Sequence, residues 1–144
     1  MAVRNQKEGV LFEPAAIESP SKAMLVVPAA SQLQARDEAI RIAETYPEGL
    51  KVGSFVAGPA CTFLPGCNIK TQKIPTLSEV KHRVLAVDEQ LGIVWLRLDF
   101  GANSVRGAND SLVVWEAFKV YGGQIHAVEA FMEVMPRGSS SGWD

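Results

Sequence analysis

The sequence predicts an α+β fold in which a curved antiparallel sheet packs against one helix. Three patterns carry this prediction. Four strand-like segments follow one another in the second half of the chain, an amphipathic helical segment precedes them, and the stretch between is rich in glycine and proline. One helix followed by two consecutive hairpins is typical of an α+β arrangement, with the helix on the concave side of the sheet.

The final hairpin is predicted from strands at 111–120 and 124–135. In the second of these strands the residues alternate strictly between two faces, which is typical of a strand with one covered face. One face is predicted to carry His126, Val128, Ala130, Met132 and Val134.

The turn of this hairpin decides which residues lie opposite one another. A two-residue turn at the paired glycines places Glu116 opposite Glu129, which sets like charges against each other. A three-residue turn that also includes Tyr121 places Glu116 and His126 on the same face. We therefore predict the three-residue turn.

The preceding hairpin is predicted from strands at 80–88 and 93–100, joined by a polar turn. A flexible polar connector at 101–110 then leads to the final hairpin. The second strand has an unbroken apolar face that needs a cover, and the helix is its predicted cover. This face consists of Val94, Leu96, Leu98 and Phe100.

The helix is predicted over 32–46. Ser31 with Gln34 three residues later forms a capping-box pattern, and Pro47 marks the expected end. Three prolines break up residues 1–30, so this region is predicted to be an arm or an edge strand.

The glycines and prolines between 47 and 75 predict loops that form a pocket rim, with one short strand near 54–56. Cys61 and Cys67 flank a Pro-Gly turn and are spaced to form a small loop disulfide, although a cytosolic setting keeps such thiols reduced. The tail at 137–144 is small and polar and is predicted to be flexible.

Composition limits the classes of partner. The chain has 144 residues, the size of one domain, and a net charge of −2 with scattered lysines and arginines. This pattern predicts neither nucleic-acid nor membrane binding. The N-terminus lacks an apolar signal segment, so we expect a cytoplasmic protein. Two histidines without metal-ligand spacing predict no metal site.

Three segments in order resemble a known family. The pattern F-K-V-x-G-G-Q-I-H-x-V-E-A-F is similar to the closing hairpin of the SnoaL-like and NTF2-like superfamily, which includes ketosteroid isomerase and scytalone dehydratase. More narrowly, V-D-E-x-x-G-I-V-W, W-E-A-F-K-V and M-P-R-G-S-S-S-G-W look like an uncharacterised SnoaL-like family of fungi and bacteria. The resemblance covers roughly 35–143 and implies a cone-shaped fold with an SnoaL/NTF2-like domain at 31–136.

The resemblance also implies an apolar pocket, no cofactor and a homodimer formed through the outer face of the sheet. Relatives carry an Arg-x-Glu-Asn-Gly segment on the pocket wall. This chain instead runs from Gly53-Ser54-Phe55 to Gly58-Pro59-Ala60-Cys61 without it. A reaction that depends on that segment is therefore expected to be lost.

Glu116 and His126 are the first pair of candidate catalytic residues. Glu116 lies between Val114 and Phe118 on one strand face, where a carboxylate is paired, raised in pKa or at an exposed edge. The resemblance matches Glu116 to the pocket aspartate of ketosteroid isomerase, which donates a hydrogen bond in its protonated form. His126 interrupts an apolar face and is either a proton shuttle or a hydrogen-bonded core residue.

His82 and Asp99 are the second pair. A four-residue turn in the first hairpin places them opposite each other, as an imidazole oriented by a carboxylate, whereas a five-residue turn places Lys81 opposite Asp99. The residues expected to contact a substrate are Trp95, Phe118, Val128 and Met132.

The expected function is a cofactor-free isomerase or dehydratase that binds a small apolar carbonyl or hydroxy compound. The alternative is a non-catalytic module that binds a small apolar ligand or mediates dimerisation. The absent Arg-x-Glu-Asn-Gly segment favours the module, whereas ionisable residues on apolar faces favour the enzyme.

Overall fold

The computed structural model describes residues 18–52, 80–100 and 110–136. Within them lie one helix, α1 (Arg36–Val52), and four strands, β1 (Val80–Asp88), β2 (Ile93–Phe100), β3 (Asp110–Tyr121) and β4 (Gln124–Pro136). The strands form one antiparallel sheet in the order β1-β2-β3-β4. The predicted α+β class and the four predicted strands are confirmed.

Several predictions fall outside the described residues. They are the short strand at 54–56, the pairing of Cys61 with Cys67, the connector up to residue 109 and the flexible tail. In the described part of the chain, no helix is long and apolar enough to cross a membrane.

Helix α1 begins at Arg36, later than predicted, and Ser31 is not its N-cap. Ser31 lies in a 3-10 turn, and Leu33 after it is extended, with φ −71° and ψ 142°. The carbonyl of Gln32 accepts a hydrogen bond of 2.7 Å from the N–H of Gly122 at the tip of the last hairpin. Because this contact holds the chain across the hairpin tip, the helix starts only after it.

Pro47 lies inside α1 and does not end it, contrary to the prediction. A proline in a helix interior removes one backbone hydrogen bond and costs about 3 kcal/mol. The Pro47 side chain is fully buried, and Leu50 in the next turn belongs to the core. Apolar burial of these two residues offsets the loss, so the helix continues to Val52.

Helix α1 covers one face of the sheet, called the inner face below. The predicted apolar face of β2 lies here and is buried, as expected from its alternation. The core between helix and sheet is formed mainly by Ala39, Ile42, Ala43, Leu50, Val94, Leu96, Leu98, Phe100, Leu112, Val114, Phe118 and Val120.

The opposite, outer face of the sheet is partly covered by residues 18–27, called the strap below. Met24 is 5 % exposed and packs on Ala117 and Ala127. The N–H of Ser21 donates a 2.7 Å hydrogen bond to Oε1 of Glu129 on β4. The described part of the predicted arm is therefore a turn docked on the sheet face, not an edge strand.

The last hairpin has a two-residue turn, so the predicted three-residue turn is wrong. Gly122 and Gly123 have φ of 56° and 75°, the left-handed conformation that a tight hairpin turn requires and that glycine adopts without strain. A register shift follows, since Lys119 pairs with Ala127 whereas Val120 pairs with Ile125. His126 is the extra residue of this bulge.

The first hairpin has a four-residue turn, one of the two lengths left open by the sequence, and a bulge that was not predicted. Val84 pairs with Leu96 and Ala86 pairs with Trp95, which leaves Leu85 as the extra residue. The bulge shifts the pairing of the first half of β1 by one residue relative to a regular ladder.

Candidate functional site

Glu116 lies in the middle of β3 and points to the inner face. It follows Val114 on that face, precedes Phe118, and pairs with Leu96 on β2 and Ala130 on β4. The residue is only 4 % exposed. Of the alternatives left open by the sequence, an exposed edge position is therefore excluded, and Glu116 does not lie opposite Glu129.

The environment of Glu116 favours its neutral form. Desolvation by burial raises the pKa of its carboxyl to about 8. Its Oε2 is buried and finds no hydrogen-bond partner in the described part of the chain. At pH 7 the carboxyl is therefore mostly protonated, and it presents a hydrogen-bonding group in an apolar setting.

Tyr46 of α1 is the second polar residue near this carboxyl. Its ring meets Phe118 edge-on, with centroids 5.3 Å apart and an interplanar angle of 62°. Desolvation and the charge of Glu116 both raise the pKa of the Tyr46 hydroxyl, which places this group within electrostatic reach of Glu116. Tyr46 was not among the predicted site residues, although its spacing from Ile42 and Ala43 fits the buried side of α1.

The apolar surroundings of Glu116 are open to solvent on one side. Phe118 is fully buried, whereas Val128, Ala130 and Met132 on the neighbouring strand β4 are only partly buried. The inner face therefore meets solvent along β4, next to Glu116. Phe118, Val128 and Met132 share the face of Glu116, as a substrate-contacting role requires, and that role stays a prediction.

Trp95 does not belong to this site, which corrects its expected pocket position. It lies on the outer face with Ala117 and Met24. Its indole stacks on the ring of Phe131, with centroids 5.9 Å apart and an interplanar angle of 12°. The strand alternation explains the position, because the even-numbered residues of β2 occupy the inner face.

His126 does not reach Glu116, so the expected pair is not formed. Its Nε2 lies 3.0 Å from the carbonyl oxygen of Tyr121. Its ring also stacks on the Tyr121 ring, with centroids 3.5 Å apart and an interplanar angle of 3°. The bulge described above is the physical reason, because it gives His126 a local partner at the hairpin tip.

His82 and Asp99 are also separated. The bulge in β1 places Lys81 opposite Asp99 and His82 opposite Leu98. Asp99 then accepts a hydrogen bond from Nη2 of Arg97 at 2.9 Å. The catalytic pair of imidazole and carboxylate is therefore not formed, and Asp99 has the Lys81 pairing that the alternative gave, through the bulge and not through a five-residue turn.

His82 instead contacts α1. Its Nε2 lies 3.2 Å from Oε1 of Glu44 and its Nδ1 lies 4.0 Å from Oε1 of Glu48, one helical turn later. This contact ties the edge strand β1 to the helix. The described segments contain no group of three histidine, cysteine, aspartate or glutamate residues that fits a metal ion.

Lys119, three residues after Glu116, is buried on the other side of the strand. Its Nζ donates a hydrogen bond to the carbonyl of Leu91 in the β1–β2 turn. Desolvation lowers the pKa of this amine, and the charge of Asp88 partly opposes that shift. Lys119 therefore does not neutralise Glu116.

Comparison with known proteins gives one match. Residues 32–132 match the model of a family described as a domain of unknown function, DUF8021. The chain belongs to the DUF8021 family. The matched region includes α1, β1, β2, β3 and most of β4, and hence both Tyr46 and Glu116. No curated protein and no solved structure matches the chain.

Proposed function

We propose that this DUF8021 protein is a cofactor-free isomerase or dehydratase for a small apolar carbonyl or hydroxy compound. The observation that carries the proposal is the neutral, buried Glu116 carboxyl with an unpartnered Oε2 beside the partly open strip of β4. A buried polar group without a partner costs free energy. A ligand oxygen placed next to Glu116 would supply the partner.

The chemistry follows from the neutral carboxyl. Its O–H would donate a hydrogen bond to the carbonyl oxygen of a ketone, and this bond strengthens as negative charge develops on that oxygen during isomerisation. With a hydroxy compound, the same O–H would protonate the departing hydroxyl as the C–O bond breaks, and water would leave. The Glu116 carboxylate formed in this way would then take the α-proton of the substrate, so that the carbon–carbon double bond forms and the carboxyl is neutral again. The buried apolar core residues next to Glu116 lower the local dielectric constant, which strengthens both interactions.

The fold we propose for this function is NTF2-like. The support is one helix packed on the inner face of a curved four-stranded antiparallel sheet, with Tyr46 of the helix within electrostatic reach of Glu116 of the sheet. A ligand on the inner face would lie between the helix and β4.

A non-catalytic binding module is the second candidate, and one observation favours it. His126 and His82 both have other partners, so neither supplies a base at Glu116. In this case Glu116 would hold a ligand oxygen without moving a proton.

We also propose a homodimer that forms through the outer face. The strand pattern predicts that Trp115, Ala117, Lys119, Glu129, Phe131 and Glu133 lie on this face. Of these residues, Ala117 and Lys119 are buried within the chain itself. Trp115, Phe131 and Glu133 remain partly accessible and support an apolar contact with a charged rim.

The test uses two probes that give the same product chromophore. A β,γ-unsaturated cyclic ketone isomerises to a conjugated enone, and a β-hydroxy ketone dehydrates to one, so ultraviolet absorbance follows both reactions. If the enzyme proposal is right, Glu116→Gln lowers kcat by about 10²- to 10³-fold while ligand binding persists, because the amide still donates a hydrogen bond.

Glu116→Leu is the matched second variant, since it removes the donor and is expected to abolish binding as well. Binding of the saturated ketone, measured by calorimetry, separates the two candidates. Wild-type binding that is lost in Glu116→Leu, without turnover of either probe, supports the binding module. Turnover that is unchanged in Glu116→Gln rules out the acid role.

A further inference from the structure

We propose that Ser19 is a phosphorylation site for a proline-directed kinase, and that phosphate at Ser19 releases the strap from the outer face. The site does not depend on the function proposed for Glu116. It lies on the opposite side of the sheet and before the family match, which begins at residue 32.

The sequence around Ser19 has the form that such kinases select. Ser19-Pro20-Ser21-Lys22 places proline directly after the acceptor and a cation three residues after it. Proline has a fixed φ and no backbone N–H. A kinase can therefore distinguish it from other residues by the shape of its ring and by the absence of this hydrogen-bond donor. Ser19 is the only serine or threonine followed by proline in the chain.

The structure leaves this sequence accessible. Glu18, Ser19, Pro20 and Lys22 are all exposed, whereas Met24 two residues further on is buried. A kinase can therefore reach the acceptor hydroxyl while the strap is docked. The γ-phosphoryl group passes from ATP to Ser19 Oγ: the new Oγ–P bond forms, the bond from γ-phosphorus to the bridging oxygen breaks, ADP leaves, and the hydroxyl proton goes to solvent.

Docking of the strap depends on a carboxylate close to Ser19. The N–H of Ser21 donates a 2.7 Å hydrogen bond to Oε1 of Glu129. Ser21 also starts the turn that seats Met24, because its carbonyl accepts the N–H of Met24 at 2.9 Å. The hydrogen bond of Ser21 to a carboxylate and the apolar contact of Met24 with Ala117 and Ala127 are therefore made within four residues of the chain.

Phosphate at Ser19 acts against this docking. It adds a charge of about −1.5 to −2 at pH 7, on a residue whose Cα lies within about 7 Å of the Ser21 Cα. The phosphate repels the Glu129 carboxylate, which weakens the hydrogen bond between this carboxylate and the Ser21 N–H. Once Ser21 moves, Met24 loses its contact with Ala117 and Ala127, and the apolar surface of these two alanines becomes exposed.

The experiment treats the full-length protein with a cyclin-dependent kinase and ATP. Mass spectrometry locates the phosphate, and hydrogen exchange at pH 7 measures the amides of residues 21–25 before and after treatment. We expect one phosphate, on Ser19, and an increase of about five- to tenfold in the exchange rate of these amides. This is the size of effect that repulsion between the phosphate and the Glu129 carboxylate produces near a protein surface.

Three variants make the test specific. Ser19→Ala removes the acceptor, and Pro20→Ala keeps the hydroxyl but removes the recognition feature, so both should stay unmodified. Glu129→Gln keeps an oxygen acceptor for Ser21 but removes the charge, so its phosphorylated form should show an increase below about twofold. A wild-type chain without phosphate on Ser19, or phosphorylated chains that exchange at the unmodified rate, would overturn the proposal. So would an equal increase in phosphorylated Glu129→Gln.

Discussion

Burial of Glu116 makes protein stability depend on pH, because the free-energy cost falls on the ionised form of the carboxyl. Its pKa is about 8 in the folded chain and about 4.3 in an unfolded chain. Between these values the folded state holds a proton that the unfolded state has released. The free energy of unfolding therefore decreases as pH rises through this window.

The first residue-scale prediction compares Glu116→Gln with the wild type. Glutamine does not titrate, so the stability of the variant relative to the wild type should rise by about 1.4 kcal/mol per pH unit between pH 5.5 and 7.5. Urea unfolding at several pH values measures this difference. Glu89→Gln, in the exposed β1–β2 turn, is the control and should show no such slope. Parallel curves for Glu116→Gln and the wild type would mean that the carboxyl ionises normally in the fold.

At this scale the sequence predicted the environment of a residue better than its partners. Flanking Val114 and Phe118 indicated a buried Glu116, because residues two apart in a strand share a face. The partners of His126 depended on local geometry at the hairpin tip, which alternation does not encode. Tyr46 was missed because its approach to Glu116 depends on how α1 packs on the sheet.

At the scale of elements, the four strands were predictable to within a residue or so because strict alternation marks their length. The two bulges, at Leu85 and His126, were not predictable. A bulge adds one residue to one strand without disturbing the alternation far from it. In the last hairpin the bulge shifts the register by one residue, as a longer turn also does, so Glu116 still avoids Glu129. In the first hairpin the bulge separates His82 from Asp99.

For the helix, too, the general position was predictable and the local detail was not. Its apolar spacing predicted that it covers the sheet, and the burial of Ala39, Ile42 and Ala43 agrees with this. The predicted ends of the helix were wrong because the actual ends depend on contacts with residues far away in the sequence. The hairpin tip holds Gln32, and burial offsets the cost of Pro47. Local rules alone cannot supply either contact.

The element-scale prediction concerns Gly92 at the end of the β1–β2 turn. Its φ is +61°, and a Cβ there would clash with the backbone carbonyl oxygen of Val120. Because backbone cannot move aside as a side chain can, Gly92→Ala should destabilise the protein by at least about 3 kcal/mol. Gly123→Ala has a similar φ, +75°, but open space around its Cβ, so it should cost only about 1 kcal/mol. Thermal unfolding compares the two, and equal losses would contradict the close pairing of the turn with β3.

At the scale of the whole molecule, the proposed homodimer makes the outer face testable. Phe131 stacks on Trp95 and is partly exposed. Phe131→Glu would place a charge in an apolar contact and should weaken the dimer by at least about tenfold in Kd. Sedimentation velocity from low to high micromolar concentration measures this change.

The control for the dimer is Glu89→Gln, which lies in the exposed β1–β2 turn. It should sediment like the wild type. If the wild type stays monomeric at high micromolar concentration, the outer face is not a dimer interface.

The proposed function depends most directly on the protonation state of Glu116, which carbon-13 NMR can measure. Selective labelling of the glutamate carboxyl carbons, with Glu116→Gln to assign the signal, gives a titration curve between pH 4 and pH 10. We expect the Glu116 carboxyl to titrate near pH 8, and to remain neutral to higher pH when a ketone ligand is bound. A titration near pH 4.5 would contradict the proposed hydrogen-bond donor and the function built on it.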